Sequence, residues 1–178
     1  MELKTPKIPE EFIETLPEGM KFVHKHGKEF LVVEEVYCPN GHSLIADSVR
    51  IHGEPSIKID VTIENQKGSF YIDAFWGSHA KLYSFMPVLQ SEEPVISAFC
   101  PVCGISLLTE SKCEHETCNE RQHIFLELPE KDNRILVCAR LGCPGHKLEI
   151  KNIPEDVTEL VSEINYFGAQ MDDVFKGI

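Results

Sequence analysis

The chain of 178 residues is 42% hydrophobic and 26% charged, a globular composition long enough for one domain, or a compact domain with a small satellite. Its 17 basic against 29 acidic residues leave a formal charge of −12; with no run of Lys and Arg to offset the repulsion of phosphate, general DNA or RNA binding is not expected. The opening MELKTPKIPEEFIETLPEGM has no apolar core of signal-peptide length, and no stretch approaches the roughly eighteen apolar residues of a membrane helix, so a cytoplasmic protein with no membrane partner is expected.

Pro6, Pro9 and Pro17 surround EEFIETL, which predicts one short helical turn packed through Phe12, Ile13 and Leu16. After Gly19, KFVHKHGKEFLVVEEVYC reads as two strands joined near Gly27. His24 and His26, two apart, share one face of the first strand; an exposed polar face accounts for them as well as a surface metal clasp does. In SIKIDVTIENQKGSFYIDAFW, Ile57, Ile59, Val61 and Ile63 alternate strictly with polar residues, the period of a strand with one buried face. Asn65 to Gly68 is the predicted turn into a strand with Phe70, Ile72 and Ala74 on one face and Tyr71, Asp73 and Phe75 on the other. Asp73, Trp76 and His79 could line a pocket, and Asp73 with His79 suggests an acid–base pair whose geometry nothing in the sequence fixes; the lone Trp, with Phe75, Tyr83 and Phe85, is better read as core or interface surface.

HIFLEL and RILVCA flank PEKDN, a polar link of the kind that closes a hairpin. Only near the end does the period become helical. Val157, Leu160, Val161 and Ile164 follow a helical stripe, Asn152 with Glu155 offers a capping-box start, and Gly168 ends or interrupts the helix before a further turn or tail.

Seven cysteines cannot all pair with one another, and in a reducing compartment thiols stay reduced, so metal ligation is the next use for them. In CPVCG, Cys100 and Cys103 stand two residues apart on a Pro/Gly turn, an arrangement that brings two thiolates within about 2.3 Å of one ion. YCPNGHSL puts Cys38 and His42 on a similar turn, and both motifs follow a strand-like, aromatic-ended segment. Cys38, His42, Cys100 and Cys103 then make a first site with 43–99 as an insertion. Cys113 and Cys118 have the same separation as Cys138 and Cys143, with the predicted hairpin between the pairs, and make a second site. CPGH gives Cys143 and His146 a knuckle spacing of their own, so His146 is an alternative to Cys138 as ligand; His115 and His123 are further candidates.

CPVCG, CPNGH and the two loosened cysteine turns resemble the zinc knuckles of zinc-ribbon proteins, over perhaps a third of the chain. The strand and helix periods predict a mainly β fold with a small α component, an inserted antiparallel β-sheet and a C-terminal amphipathic helix; the resemblance adds zinc-ribbon-like elements. The expected segments are 1–19, an N-terminal piece; 20–110, a β-domain closed by the first site; 111–151, a second ribbon-like hairpin; and 152–178, the helix and tail. Two Zn2+ per chain are expected, with iron an alternative at the second site. Closed four-ligand sites imply structural metal and a binding or adaptor module acting on an unknown protein partner or on itself. The alternatives are a hydrolase-like enzyme with an open zinc site and a thiol-based redox or metal sensor. No Gly-rich phosphate loop, nucleophile elbow or His-Glu-x-x-His helix is present.

Overall fold

The computed structural model of the chain describes residues 8–25, 27–78, 80–92, 94–115, 118–143, 145–151 and 153–162. Expectations for His26, His79, Asn152, Ile164, Gly168 and the final stretch therefore lie outside the described residues. The fold is mainly β, with three antiparallel sheets and a short C-terminal helix.

The first turn forms as α1 (Glu10–Glu14), started by Pro9, whose carbonyl receives the Phe12 and Ile13 amides. Phe12 is fully buried, but Ile13 is exposed, contrary to the expected packing: five residues make little more than one turn, and only one side of it meets the core. β1 (Met20–Lys25) and β2 (Lys28–Val33) form the two-stranded sheet across the turn at Gly27, with His24 exposed on β1.

The largest sheet is built on β4 (Glu54–Ile63), which pairs with β3 (Ile45–Ile51), β5 (Gln66–Ile72) and β7 (Ser97–Phe99), while β6 (Lys81–Tyr83) lies beyond β5. Ile57, Ile59, Val61 and Ile63 of β4 are all buried. At about 2 kcal/mol for each buried side chain, a one-residue slip that turned all four to solvent would cost about 8 kcal/mol, which fixes the register. The turn after β4 differs from expectation: it is Glu64–Asn65, both at positive φ, and residues 66–68 already belong to β5. Two consecutive positive-φ residues match the right-handed twist of a tight hairpin better than a four-residue turn would. Past β5 the alternation ends: Asp73, Ala74 and Phe75 are all buried although expected on opposite faces, and Trp76 is buried too.

β8 (Leu108–Glu110), β9 (Gln122–Glu127), β10 (Arg134–Cys138) and β11 (His146–Glu149) form the third sheet in the order β11–β10–β9–β8. β9 and β10 are the expected hairpin across PEKDN, with Cys138 opposite His123. Isolated bridges at Val32–Phe75, Tyr37–Glu127 and Val95–Arg140 stitch outlying segments together. α2 (Glu155–Ser162) buries Val157, Thr158 and Val161, while Leu160 faces solvent; Thr158 takes the place the stripe gave to Leu160. Trp76 Nε1 donates to Val161 O at 2.9 Å, tying the helix to the segment after β5. One continuous core runs from Ile8 and Phe12 through both larger sheets to Val161. Among the described residues, no helix is long and apolar enough to cross a membrane.

Candidate metal centres

The first group forms where two turns meet. Tyr37 and Ser43 pair across one turn, Phe99 and Ser106 across the other, so each turn is the closed end of a short antiparallel ladder. Inside the first, Cys38 N donates to His42 O at 3.0 Å and Gly41 N to Cys38 O at 2.9 Å. Inside the second, Cys100 N donates to Ile105 O, and Gly104 N to Cys100 O, both at 2.9 Å. These ladders aim Cys38, His42, Cys100 and Cys103 at a common point. One ligand atom from each lies within 4.8 Å of every other. Cys38 Sγ is 3.5 Å from His42 Nδ1 and 3.9 Å from Cys103 Sγ.

The second group is Cys113, Cys118, Cys138 and Cys143, all buried and mutually within 4.8 Å. Cys113 and Cys118 are held in the loop between β8 and β9, where Cys113 N donates to Glu120 O at 2.9 Å. Cys138 ends β10 and Cys143 follows a turn, with Cys138 N donating to Gly145 O at 2.9 Å. The sulfur pairs Cys113–Cys143 and Cys118–Cys138 are both 3.7 Å apart.

These separations have a definite meaning. A disulfide would put sulfurs about 2.05 Å apart, and all seven cysteines are free thiols. Four thiolates around one ion at about 2.3 Å place neighbouring sulfurs about 3.8 Å apart, from tetrahedral geometry alone. The observed 3.7 and 3.9 Å match that tetrahedral edge, so each group could hold an ion. A second feature fits an ion as well: a Cβ at Gly145 would stand 2.7 Å from Cys113 Sγ and 3.4 Å from Cys143 Sγ, so only glycine leaves these sulfurs where they are.

The electrostatics of the two groups differ. Cys103, open to solvent, has its pKa lowered to about 6, chiefly by the hydrogen bond from the Ile105 amide and then by the Asn40 carboxamide, 3.4 Å from its sulfur. Burial pushes Cys100 up, against the Cys103 and Val102 amides. In the second group burial pushes Cys113 up to about 11 and raises Cys138 too. Burial also opposes ionisation of Cys118, but the Glu120 amide and the neighbouring thiols outweigh it and its pKa falls. Four thiolates around a divalent ion carry a net charge of about −2, and an ion's own charge overrides the burial effect on coordinating thiols. Lys81 of β6, half-buried, interacts electrostatically with Cys138 and Cys143: burial lowers its pKa, and the two thiols only partly offset that.

His146 and His123 are placed elsewhere. His146 begins β11 and meets Trp76 edge to face, ring centroids 4.9 Å apart; it is not in the second group, which takes Cys138. His123 is buried, its Nδ1 donating to Ser111 O at 2.7 Å, and burial lowers its pKa. Among the described residues Asp73 has an imidazole partner in His52, in the β3–β4 turn, whose Nδ1 donates to Asp73 Oδ2 at 2.7 Å. Ser78 Oγ donates to the same oxygen at 2.6 Å, and Phe75 N donates to Oδ1 at 3.0 Å. Both carboxylate oxygens are spent on holding two loops together, as suits a structural pin. The signal for His52 is Gly53 beside it: the two, both at positive φ, make the β3–β4 turn between Ile51 and Glu54. Asn40 and Gly145 were visible, but only as turn residues of CPNGH and CPGH.

The chain matches no family model, no curated protein and no solved structure.

Proposed function

We propose that the chain is a zinc-binding protein whose two centres are structural, and that it acts as a cytoplasmic protein-interaction module. The observation that carries the reading is the sulfur spacing: pairs at 3.7 and 3.9 Å, in groups that each supply four protein ligand atoms. Four protein ligands fill a tetrahedron, whereas a catalytic zinc keeps one position for water. That favours a structural role over a hydrolase-like open site. Zinc suits the Cys3His donor set of the first centre; the four-thiolate second centre would also accept iron.

In this reading the turns are zinc-ribbon-like. The first centre closes the β-unit of residues 20–110 by fastening the chain before β3 to the chain after β7. The second fastens both ends of the β9–β10 hairpin in 111–151. The low pKa of the exposed Cys103 is the one feature that favours a thiol sensor. The same donors, the Ile105 amide and Asn40, are what a zinc thiolate requires as outer hydrogen bonds, so ligation accounts for them without a redox role. The formal charge of −12 directs the partner search towards proteins and away from nucleic acid.

The test is removal and return of metal. A structural zinc carries folding free energy, so stripping it with a strong chelator should abolish the cooperative thermal transition, and adding zinc under reducing conditions should restore it. A chelated protein that melted like the untreated one would overturn the proposal.

A further inference from the structure

Residues 84–92 invert the usual arrangement of a loop: polar side chains hold it down while apolar ones point away. Gln66 pairs with Val88 in both directions, Nε2 donating to Val88 O at 2.8 Å and Oε1 accepting from Val88 N at 2.9 Å. Glu64 accepts from Gln90 N at 2.7 Å, Ser91 N at 3.0 Å and Ser91 Oγ at 2.6 Å. Phe85 lies directly against the backbone of Gly68, where any Cβ would overlap its ring. The loop is thereby fastened along the β4–β5 hairpin by side chains standing in for backbone.

What it displays is apolar. Met86 is 90%, Val88 73% and Leu89 42% exposed, and Leu82 on the adjoining edge strand is 49% exposed. Single exposed apolar residues are ordinary, but a cluster of this kind on a fastened loop marks an interaction surface. Fixing the loop in advance also removes much of the ordering cost that association would otherwise incur.

The charge around this surface selects among occupants. Residues 82–95 contain Glu92 and Glu93 and no Lys or Arg. Glu64 is held as a carboxylate by the Ser91 hydroxyl and the Gln90 amide, which lower its pKa. A second copy of this chain, also at −12, and an anionic lipid surface are both repelled. We propose that Met86, Val88 and Leu89 dock a protein segment that presents apolar anchors set among Lys and Arg side chains, with Glu64 and Glu92 supplying the complementary charge. This rests on the reading of the chain as an interaction module and names its surface.

The experiment selects a display library of random 16-residue peptides on the metal-replete protein, with a Met86→Ser/Val88→Ser double variant as counter-selection. Both positions are largely exposed, so the variant should keep the wild-type melting temperature and metal content, and measuring both separates loss of docking from loss of the metal centres. The expected result is a set of peptides enriched in Lys or Arg together with apolar residues. Their affinity should fall at least tenfold in the double variant and weaken as salt rises. Enrichment of neutral or acidic peptides, or no enrichment over the double variant, overturns the proposal. So does self-association in sedimentation that the double variant abolishes, or binding to phosphatidylserine vesicles through the same residues.

Discussion

Gly145→Ala tests the second centre without touching a ligand. Gly145 does not have positive φ, so an alanine backbone is allowed there; the only conflict is the new Cβ, 2.7 Å from Cys113 Sγ. Carbon and sulfur need about 3.6 Å, so the sulfur must retreat by nearly 1 Å, several times the roughly 0.2 Å tolerance of a metal–ligand distance. Changes at this range from a centre cost about 10- to 100-fold in metal affinity, or about 1.4–2.8 kcal/mol. In the metal-free chain the thiol is free to turn aside, and Gly→Ala then stabilises by about 0.4–1 kcal/mol through the unfolded state. The substitution should therefore weaken the metal-replete protein and spare the stripped one. Competition against a chromophoric chelator reads the first effect and urea unfolding of both forms reads the second. Unchanged affinity at both centres, or equal destabilisation of both forms, would refute the claim that these sulfurs converge on an ion.

Three further outcomes follow from the geometry. Cys100→Ser should lower the metal content from two ions per chain to one and cost about 3 kcal/mol or more, about 10 °C in melting temperature for a chain this long, read by elemental analysis and calorimetry. Asp73→Asn should change the pH profile of stability. Burial raises the Asp73 pKa, so the folded chain holds that proton more tightly than the unfolded one, and the associated stability is full below the ordinary carboxylate range and lost as pH rises through the raised value. Wild type should lose stability over that interval relative to Asp73→Asn in paired urea titrations; parallel curves would contradict the burial argument. Gly68→Ala should cost about 1–3 kcal/mol by driving the Phe85 ring off β5, and hydrogen exchange at Val88 and Gln90 should quicken; unaltered exchange would contradict the fastened loop.

Much of this fold could be read from side-chain period. β4 and the β9–β10 hairpin are written in alternation or in polar links, because each has one face in the core and a tight reversal. β3 is not: its residues IADSVRI alternate poorly, the strand carries a bulge between Ala46 and Arg50, and only Ile51 among them is buried. β6, β7 and β8 have three residues each and exist through pairing with longer neighbours, which no local pattern reports. Leu160 and Ile13 fit a helical stripe yet face water, since a short helix meets its neighbours over a narrower arc than the stripe spans. For the centres, knuckle spacing identified which sulfurs could share an ion locally. That Cys138 and not His146 stands among the other three sulfurs follows from the β10–β11 register, which pairs Val137 with His146 and leaves Cys138 at the turn, and from Trp76 packing against the imidazole. Those are tertiary facts.

The most direct measurement is X-ray absorption at the zinc edge together with elemental analysis of protein purified without added chelator. Two zinc ions per chain are predicted, sharing seven sulfur ligands at about 2.3 Å and one nitrogen. One ion or none, an oxygen ligand from water in place of a sulfur, or a mass lowered by disulfide formation would contradict the account.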